Sequence, residues 1–290
     1  MLGRKTTGSV VCASCGSLVG VNDERCYMCG RANPGMWGFA PLLRQLGNDL
    51  GFVPLVIGAS SILYVAALLL SGSRAFSMNG LFNMLAPAGN VLDAFGASGA
   101  IPVFIYGRWW TLLSATWLHA SLLHILFNMM WVRDIGPATA DVIGPARTVI
   151  IYVVSGVCGF LLSSVAGAYF PPINLLIVSL TGSTYTVGAS ASIFGLLGAL
   201  VHYGNVSGSR LIHGQAKQWA LILFIYGLLM PGVDNFAHAG GFIGGYLTSM
   251  FFNPLTKERG DHMIAAMVCL VASFAAVVAS LLAGLPRIVG

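Results

Sequence analysis

A serine, three histidines and an asparagine lie in stretches of this chain that are otherwise almost wholly apolar. Ser190 stands in Gly188-Ala-Ser190-Ala-Ser192-Ile-Phe-Gly195, and His238 in Asn235-Phe-Ala-His238-Ala-Gly-Gly241-Phe-Ile-Gly244-Gly245. A hydroxyl beside an imidazole can attack a carbonyl once the ring has taken its proton, so Ser190 and His238 form a candidate catalytic pair. A serine in a membrane helix usually bonds only to the carbonyl four residues back. Gly188 changes that expectation for Ser190, because glycine lets the backbone approach closely at a helix start, where free N–H groups can stabilise a developing oxyanion. Ser192 is rotated about 200° from Ser190 on a helix and points elsewhere. In Trp117-Leu-His119-Ala-Ser-Leu-Leu-His124-Ile-Leu-Phe-Asn128, a helix places His124 and Asn128 on one face. His119 would point away from both and do a separate, structural job. Asp234, four residues before His238, is either a loop or helix-capping residue or a third member that orients the imidazole.

A second constellation lies near the N-terminus. Cys12-Ala-Ser-Cys15-Gly16 and Cys26-Tyr-Met-Cys29-Gly30 are two matched CxxCG knuckles. Each turn aims two thiolates at one point, and two such turns complete a tetrahedral four-cysteine site for structural zinc, with iron as the alternative metal. Disulfides are not expected in a cytosolic segment, and a redox CxxC would not normally come as a matched pair. Four closed ligand positions leave no place for catalysis, so docking or regulation through a protein partner is the expected role. Cys158 and Cys269, single thiols inside apolar runs, read as core packing.

The elements that must position these groups follow from composition. Of 290 residues, 57% are hydrophobic and 8% charged, and the mean hydropathy is +0.83. Soluble domains carry about 25% charged residues, so the chain belongs in a bilayer. Spanning ~30 Å of hydrocarbon takes about 20 apolar helical residues. Seven runs qualify, near 52–71, 112–132, 148–170, 188–204, 217–233, 236–252 and 262–285; the fourth to sixth are the shortest. The first run starts only near Phe52, behind a mostly polar segment, so no cleavable signal peptide is expected. Lys and Arg collect on the cytoplasmic side. With the N-terminus inside, Arg4, Lys5, Arg25, Arg31, Arg44, Arg133, Arg147, Arg210, Lys217, Lys257 and Arg259 fall inside, leaving Arg74, Arg108 and Arg287 outside. That gives an N-in, C-out topology. The net charge of +5 then reads as topology and lipid contact, and nucleic acid is not an expected partner. Ser190 and His238 both fall early in spans that run from outside to inside, hence at similar depth near the outer face. Gly241 and Gly245 share a face with His238 and offer a close contact to a helix bearing Ser190, Gly195, Gly198 and Ala199.

From about 52 to 252 the chain resembles the rhomboid intramembrane serine proteases. The resemblance rests on His119, His124 and Asn128 as HxxxxHxxxN, Gly188 and Ser190 as GxS, the glycine-followed His238, the Gly107-Arg-Trp-Trp-Thr-Leu-Leu113 approach and a long first loop, 72–111. It implies an all-α polytopic fold with a six-helix core, here with a seventh, C-terminal span, and a Ser190/His238 dyad that needs no cofactor. It implies an oxyanion site of His124, Asn128 and the Ser190 backbone N–H, and Phe194 packed on the His238 ring. Substrates would be transmembrane proteins with a helix-destabilising segment near the outer face. Two positions depart from the family pattern: Ala191 replaces a glycine and would crowd the oxyanion pocket, and Thr111 replaces an arginine.

The domain organisation expected is a zinc ribbon over 1–33, and a linker with an interfacial helix over 34–51 carrying Leu42, Leu43, Leu46 and Leu50. The protease-like core follows over 52–253, then a loop and the seventh span over 254–290. A bacterial inner membrane is the expected location. Two other classes remain open. A catalytically silent relative would bind and route membrane proteins, and its mark would be a lost serine or histidine. A transporter would show an internal repeat, and HxxxxHxxxN has no later counterpart.

Overall fold

Long apolar runs interrupted by glycine and serine dictate a mostly helical chain. The computed structural model describes residues 4–12, 16–41, 47–76, 80, 83–175, 178–230 and 232–285. They belong to two units, 1–52 and 53–290.

The first unit is built on an antiparallel hairpin. Strands β1 (Ser9–Val11) and β2 (Leu18–Gly20) pair with Ser9 opposite Gly20 and Val11 opposite Leu18. Alternation along the strands turns Val10 and Val19 inward, where they pack with Val21, Cys12 and Cys26. Leu42, Leu43 and Leu46 of the expected interfacial helix lie outside the described residues.

The second unit begins with α1 (Phe52–Ser71), extended by a 3-10 segment to Phe76. The first loop then folds into structure of its own: α2 (Gly89–Phe95), a π turn (Ile101–Ile105), the single turn α3 (Thr111–Ser114) and a 3-10 turn (Ala115–Trp117). Arg108 is buried there and donates to the Asp93 carboxylate and, at 3.2 Å, to the Asp93 carbonyl. Helices α4 (Leu122–Ile143) and α5 (Pro145–Tyr169) are followed by a short hairpin, β3 (Ile173–Leu175) and β4 (Val178–Leu180). Then come α6 (Ser190–Ser207), α7 (Arg210–Leu229), α8 (Asn235–Met250) and α9 (Gly260–Gly284). Helices α5, α6 and α8 pack on one another and form the centre. Helix α7 lies on α6, α4 touches α5 and α6, and α9 covers α2, α3 and α5.

Among the described residues, three helices are long and apolar enough to cross a membrane: α1 with its extension, α5 and α9. The segment Thr111–Trp117 with α4 makes a fourth if counted as one span, bent by 92°. At 1.5 Å per residue, the 16 residues of α8 cover only about 24 Å, and α6, α7 and α8 do not meet the same length and composition test.

The second expected span, 112–132, differs from what forms. The helix starts at Leu122, after the non-helical residues 118–121, and continues past Arg133 and Asp134 to Ile143. Those two charges pair with each other at 3.1 Å on an exposed face, so they do not end the helix. The Ser121 hydroxyl accepts the His124 N–H and caps the new start. At the other end of α4, Gly144 separates it from α5, and the buried Arg147 binds the two to the approach to α9. Its guanidinium donates to the carbonyls of Ile143, Thr256 and Lys257 and to His262 Nδ1, while its backbone N–H meets Glu258.

Candidate active site

Ser190 is the first residue of α6, and its position is fixed by the backbone that precedes it. Gly188 has φ +132°, a conformation that residues with a side chain rarely adopt. Its N–H donates to the Ala115 carbonyl at 3.0 Å, which ties the start of α6 to the turn before the 92° break. Upstream, Ser98 and Thr186 exchange backbone hydrogen bonds of 3.0 and 2.7 Å, and Ala100 N–H reaches the Ser183 carbonyl. The first loop is thus hydrogen-bonded to the segment that delivers Ser190. No side chain caps α6 at Ala189, which leaves its first turn without the usual capping acceptor, the condition under which a helix start binds an anion.

A methyl group built on Gly188 would stand 2.7 Å from His124 Nε2 and 3.8 Å from Ser190 Oγ. Both polar atoms therefore border the small space left by the missing side chain. The His124 tautomer follows from its other nitrogen. Nδ1 accepts the Ala120 N–H at 3.3 Å, so in the neutral ring the proton sits on Nε2, which is a donor toward that space. One turn on, Asn128 Nδ2 donates to the His124 carbonyl at 2.8 Å and keeps a second N–H. The helical spacing of His124 and Asn128 holds in α4. His119 differs: it lies in the non-helical break, and its ring meets His124 edge-on at 5.2 Å instead of pointing away. The chain reversal at 118–121 overrides the helical projection.

His238 sits in the first turn of α8 and is buried. Its ring stacks on Phe194, centroids 4.3 Å apart and planes 18° from parallel. The backbones behind them touch. A side chain on Gly241 would strike the Ala191 carbonyl, one on Gly245 the Gly195 backbone, and one on Gly198 the Phe242 carbonyl. The glycine spacing read in the sequence is this α6–α8 contact. Gly244 packs on Cys158 of α5, which makes that cysteine a packing residue.

Asp234 caps α8. Its Oδ1 accepts the Ala237 N–H at 2.9 Å and its Oδ2 the Ser163 hydroxyl at 2.6 Å. His238 Nδ1 has no hydrogen-bond partner among the described residues, so Asp234 does not act as a third member here. The role of Ser163, which also accepts the Ser183 N–H, has no local sequence signal; α5, α8 and the loop before α6 meet only in the fold. Ser192 is buried toward α5, beside Gly156 and Thr116. The Ala191 methyl also faces α5: it lies in the cluster of Val103, Leu112, Ala115, Phe160 and Ala237 and against Gly159. The three atoms nearest a side chain built at Gly188 belong to His124 and Ser190, not to Ala191. Thr111 is buried and donates to the Arg108 carbonyl at 2.7 Å, closing the turn on which it stands.

In the first unit, Cys12, Cys26 and Cys29 offer three sulfur atoms all within 4.8 Å of one another. Cys15, the fourth expected ligand, lies outside the described residues. The two knuckles repeat one backbone pattern: Gly16 N–H to Cys12 O with Cys12 N–H to Ser17 O, and Gly30 N–H to Cys26 O with Cys26 N–H to Arg31 O. Cys12 and Cys29 sulfurs are 3.8 Å apart, well beyond the ~2.05 Å of a disulfide.

Residues 106–255 match the Rhomboid domain. RHOMBOID-like protein 7 of Arabidopsis thaliana is 33% identical over 169 residues, which are 57% of this chain and 49% of that protein. RHOMBOID-like protein 1 of the same plant is 33% identical over 174 residues, 58% of this chain and 41% of the relative. Rhomboid protease GluP of Bacillus subtilis is 28% identical over 183 residues, 62% of this chain and 33% of the relative. The chain thus spans half or less of the length of these relatives, and the domain match over 106–255 holds the bent segment before and through α4, the Ser190 helix and the His238 helix. With the domain match covering more than half of its residues, this chain belongs to the rhomboid family.

Proposed function

We propose that this chain is an intramembrane serine endopeptidase that cleaves transmembrane proteins near the outer membrane face. The observation that carries the proposal is the space at Gly188, bordered by Ser190 Oγ, by the donor edge of His124 and by the open N-terminus of α6. A nucleophile and oxyanion donors meet there, and the general base, His238, is held by the Phe194 stack on the adjacent helix.

In the proposed reaction, His238 takes the Ser190 hydroxyl proton as Oγ attacks the scissile carbonyl. The oxyanion forms beside the backbone N–H of Ser190, with His124 Nε2–H and Asn128 Nδ2–H as side-chain donors. His238 then passes the proton to the leaving amine, and water releases the acyl-enzyme by the reverse sequence. Gly188 keeps the oxyanion space open, and His119 buttresses the His124 ring. No metal or organic cofactor enters these steps.

The proposed topology has seven spans, N-terminus in the cytoplasm and C-terminus outside, in a bacterial inner membrane; the positive-residue bias supports it. In this arrangement α6, α7 and α8 cross as short helices sheathed by the longer ones. Residues 1–33 are proposed as a zinc ribbon with a protein partner, 34–51 as linker and interfacial helix, 52–253 as the protease core and 254–290 as a loop and last span. Tetrahedral thiolates at ~2.3 Å from zinc lie about 3.8 Å from one another, which the Cys12–Cys29 separation fits. Cys12, Cys15, Cys26 and Cys29 would hold the ion, whose contribution is structural.

The test is cleavage of a model transmembrane substrate in detergent by wild type and Ser190→Ala. Ser190→Ala is expected to abolish cleavage and covalent labelling by a fluorophosphonate. Undiminished cleavage would overturn the proposal, and a wild type that binds such substrates without cutting them would establish a silent, client-binding relative instead.

A further inference from the structure

We propose that Asn235 is a positioning residue for His238: its side-chain carbonyl accepts the proton on imidazole Nδ1 and so leaves Nε2 to receive the proton of Ser190. The inference rests on the Ser190/His238 reading above. It starts from two buried polar atoms that have no hydrogen-bond partner among the described residues, Asn235 Oδ1 and His238 Nδ1. Their side chains are 7% and 6% exposed, so water does not freely satisfy either atom, and buried groups of this kind are normally paired. Both border Gly227 of α7. A methyl group built there would stand 2.6 Å from Asn235 Oδ1 and 3.4 Å from His238 Nδ1.

The orientation of each group is set from its far side. Asn235 Nδ2 donates to the Gly227 carbonyl at 3.0 Å and to the Val233 carbonyl at 3.5 Å. Turning the amide over would set its oxygen against those two acceptors, so the oxygen must stay on the other side. The imidazole plane is held by the Phe194 stack. Asp234, the nearest carboxylate in sequence, spends its two oxygens on Ala237 and Ser163. One donor and one acceptor are thus left to each other, and a side-chain rotation that brings Oδ1 to Nδ1 joins them.

The chemical consequence is a choice of tautomer. A neutral imidazole carries one proton, and an acceptor at Nδ1 places it there, so that Nε2 holds the lone pair. When the Ser190 O–H bond breaks, its proton goes to Nε2 and Nδ1 keeps its own. The amide dipole then faces the imidazolium without adding a buried charge. Gly227 fits the same purpose, because a side chain there would crowd Asn235 Oδ1 and touch His238 Nδ1.

The experiment compares full-length wild type, Asn235→Leu and Asn235→Asp in detergent, reading fluorophosphonate labelling of Ser190, kcat and KM for a transmembrane substrate, and thermal unfolding. Leucine keeps the volume and removes the acceptor; aspartate keeps the acceptor. Asn235→Leu is expected to slow labelling and kcat together by about 10- to 100-fold with KM within about twofold, a loss confined to proton transfer. Asn235→Asp is expected to recover most of both rates. Wild-type labelling by Asn235→Leu overturns the proposal, as does Asn235→Asp being as slow as Asn235→Leu when all three unfold alike. Should Asn235→Leu not fold, 15N NMR of histidine-labelled wild type decides, with His238 assigned by loss of its signals in His238→Gln. A protonated Nδ1 is expected, and a proton on Nε2 refutes it. Labelling that survives Ser190→Ala marks failure of the dyad itself, which the Asn235 variants cannot mimic.

Discussion

The Ala191 methyl points into the core against Gly159 and Phe160, away from the space at Gly188 that His124 and Ser190 border. Its effect is therefore on stability and not on rate. Ala191→Gly removes a buried methyl and adds backbone freedom within a helix, each worth about 1 kcal/mol. The expected outcome is a lower melting temperature with the fluorophosphonate labelling rate unchanged; a marked acceleration would return the methyl to the oxyanion space. His124 and Asn128 differ, since in the proposed reaction His124 Nε2–H and the second N–H of Asn128 serve only the charged state. His124→Ala and Asn128→Ala are each expected to lower kcat by about 10²–10³ with little change in KM, measured by steady-state cleavage in detergent. At this scale His238, His124 and Asn128 could be proposed from the sequence because histidine and asparagine are rare in its apolar runs, whereas Ser190, one of many serines in those runs, stood out only through Gly188. The direction of the Ala191 methyl was not legible. It depends on which neighbour α6 meets on that side, and α5 arrives there from more than twenty residues earlier in the chain.

Glycine decides how closely the helices carrying Ser190 and His238 approach. Gly241 and Gly245 set α8 directly on the α6 backbone, at Ala191 and Gly195. Gly241→Ala drives a methyl into the Ala191 carbonyl one residue from Ser190, so α6 and α8 must move apart. Overpacking of this kind costs about 1–3 kcal/mol, and the Phe194–His238 stack lies in the displaced layer. Gly241→Ala is expected to lower both thermal stability and the labelling rate. Gly214 on α7 is exposed with open space around it, and Gly214→Ala is expected to be neutral or stabilising. Thermal unfolding and labelling of the two variants side by side check this; equal responses would show that the α6–α8 approach is not what glycine protects. This contact was readable from the sequence because small residues recurred at helical spacing. The break at 118–121 was not. Leu118, His119, Ala120 and Ser121 include no proline or glycine, and the break is tied from outside the segment, where Gly188 N–H donates to the Ala115 carbonyl and Leu122 N–H to the Met84 carbonyl of the first loop.

At the scale of the molecule, the chain joins a cysteine-bearing hairpin unit, 1–52, to a helical unit, 53–290, that holds every group of the proposed reaction. Among the described residues, the core cluster of the hairpin unit is small: Val10, Cys12, Val19, Val21 and Cys26, with Cys29 against them. So few apolar groups cannot offset the entropy of ordering some thirty residues, at roughly 1–2 kcal/mol each, and small domains of this kind are commonly stabilised by a metal. The helical unit has an extensive core of its own, organised by Gly188, Arg147 and the α5–α6–α8 packing. The two should therefore respond separately to metal removal. Full-length protein is expected to carry about one zinc per chain by elemental analysis, lost in the double variant Cys12→Ser, Cys29→Ser and on treatment with a strong chelator. Hydrogen exchange should then rise over residues 4–41, while exchange across α5, α6 and α8 and the fluorophosphonate labelling rate of Ser190 stay at wild-type values. Iron in place of zinc, or no metal, would refute the assignment of the four cysteines. A fall in labelling after zinc loss would mean that the hairpin unit acts on the site itself, a regulatory coupling to be located by repeating the labelling with residues 1–41 deleted.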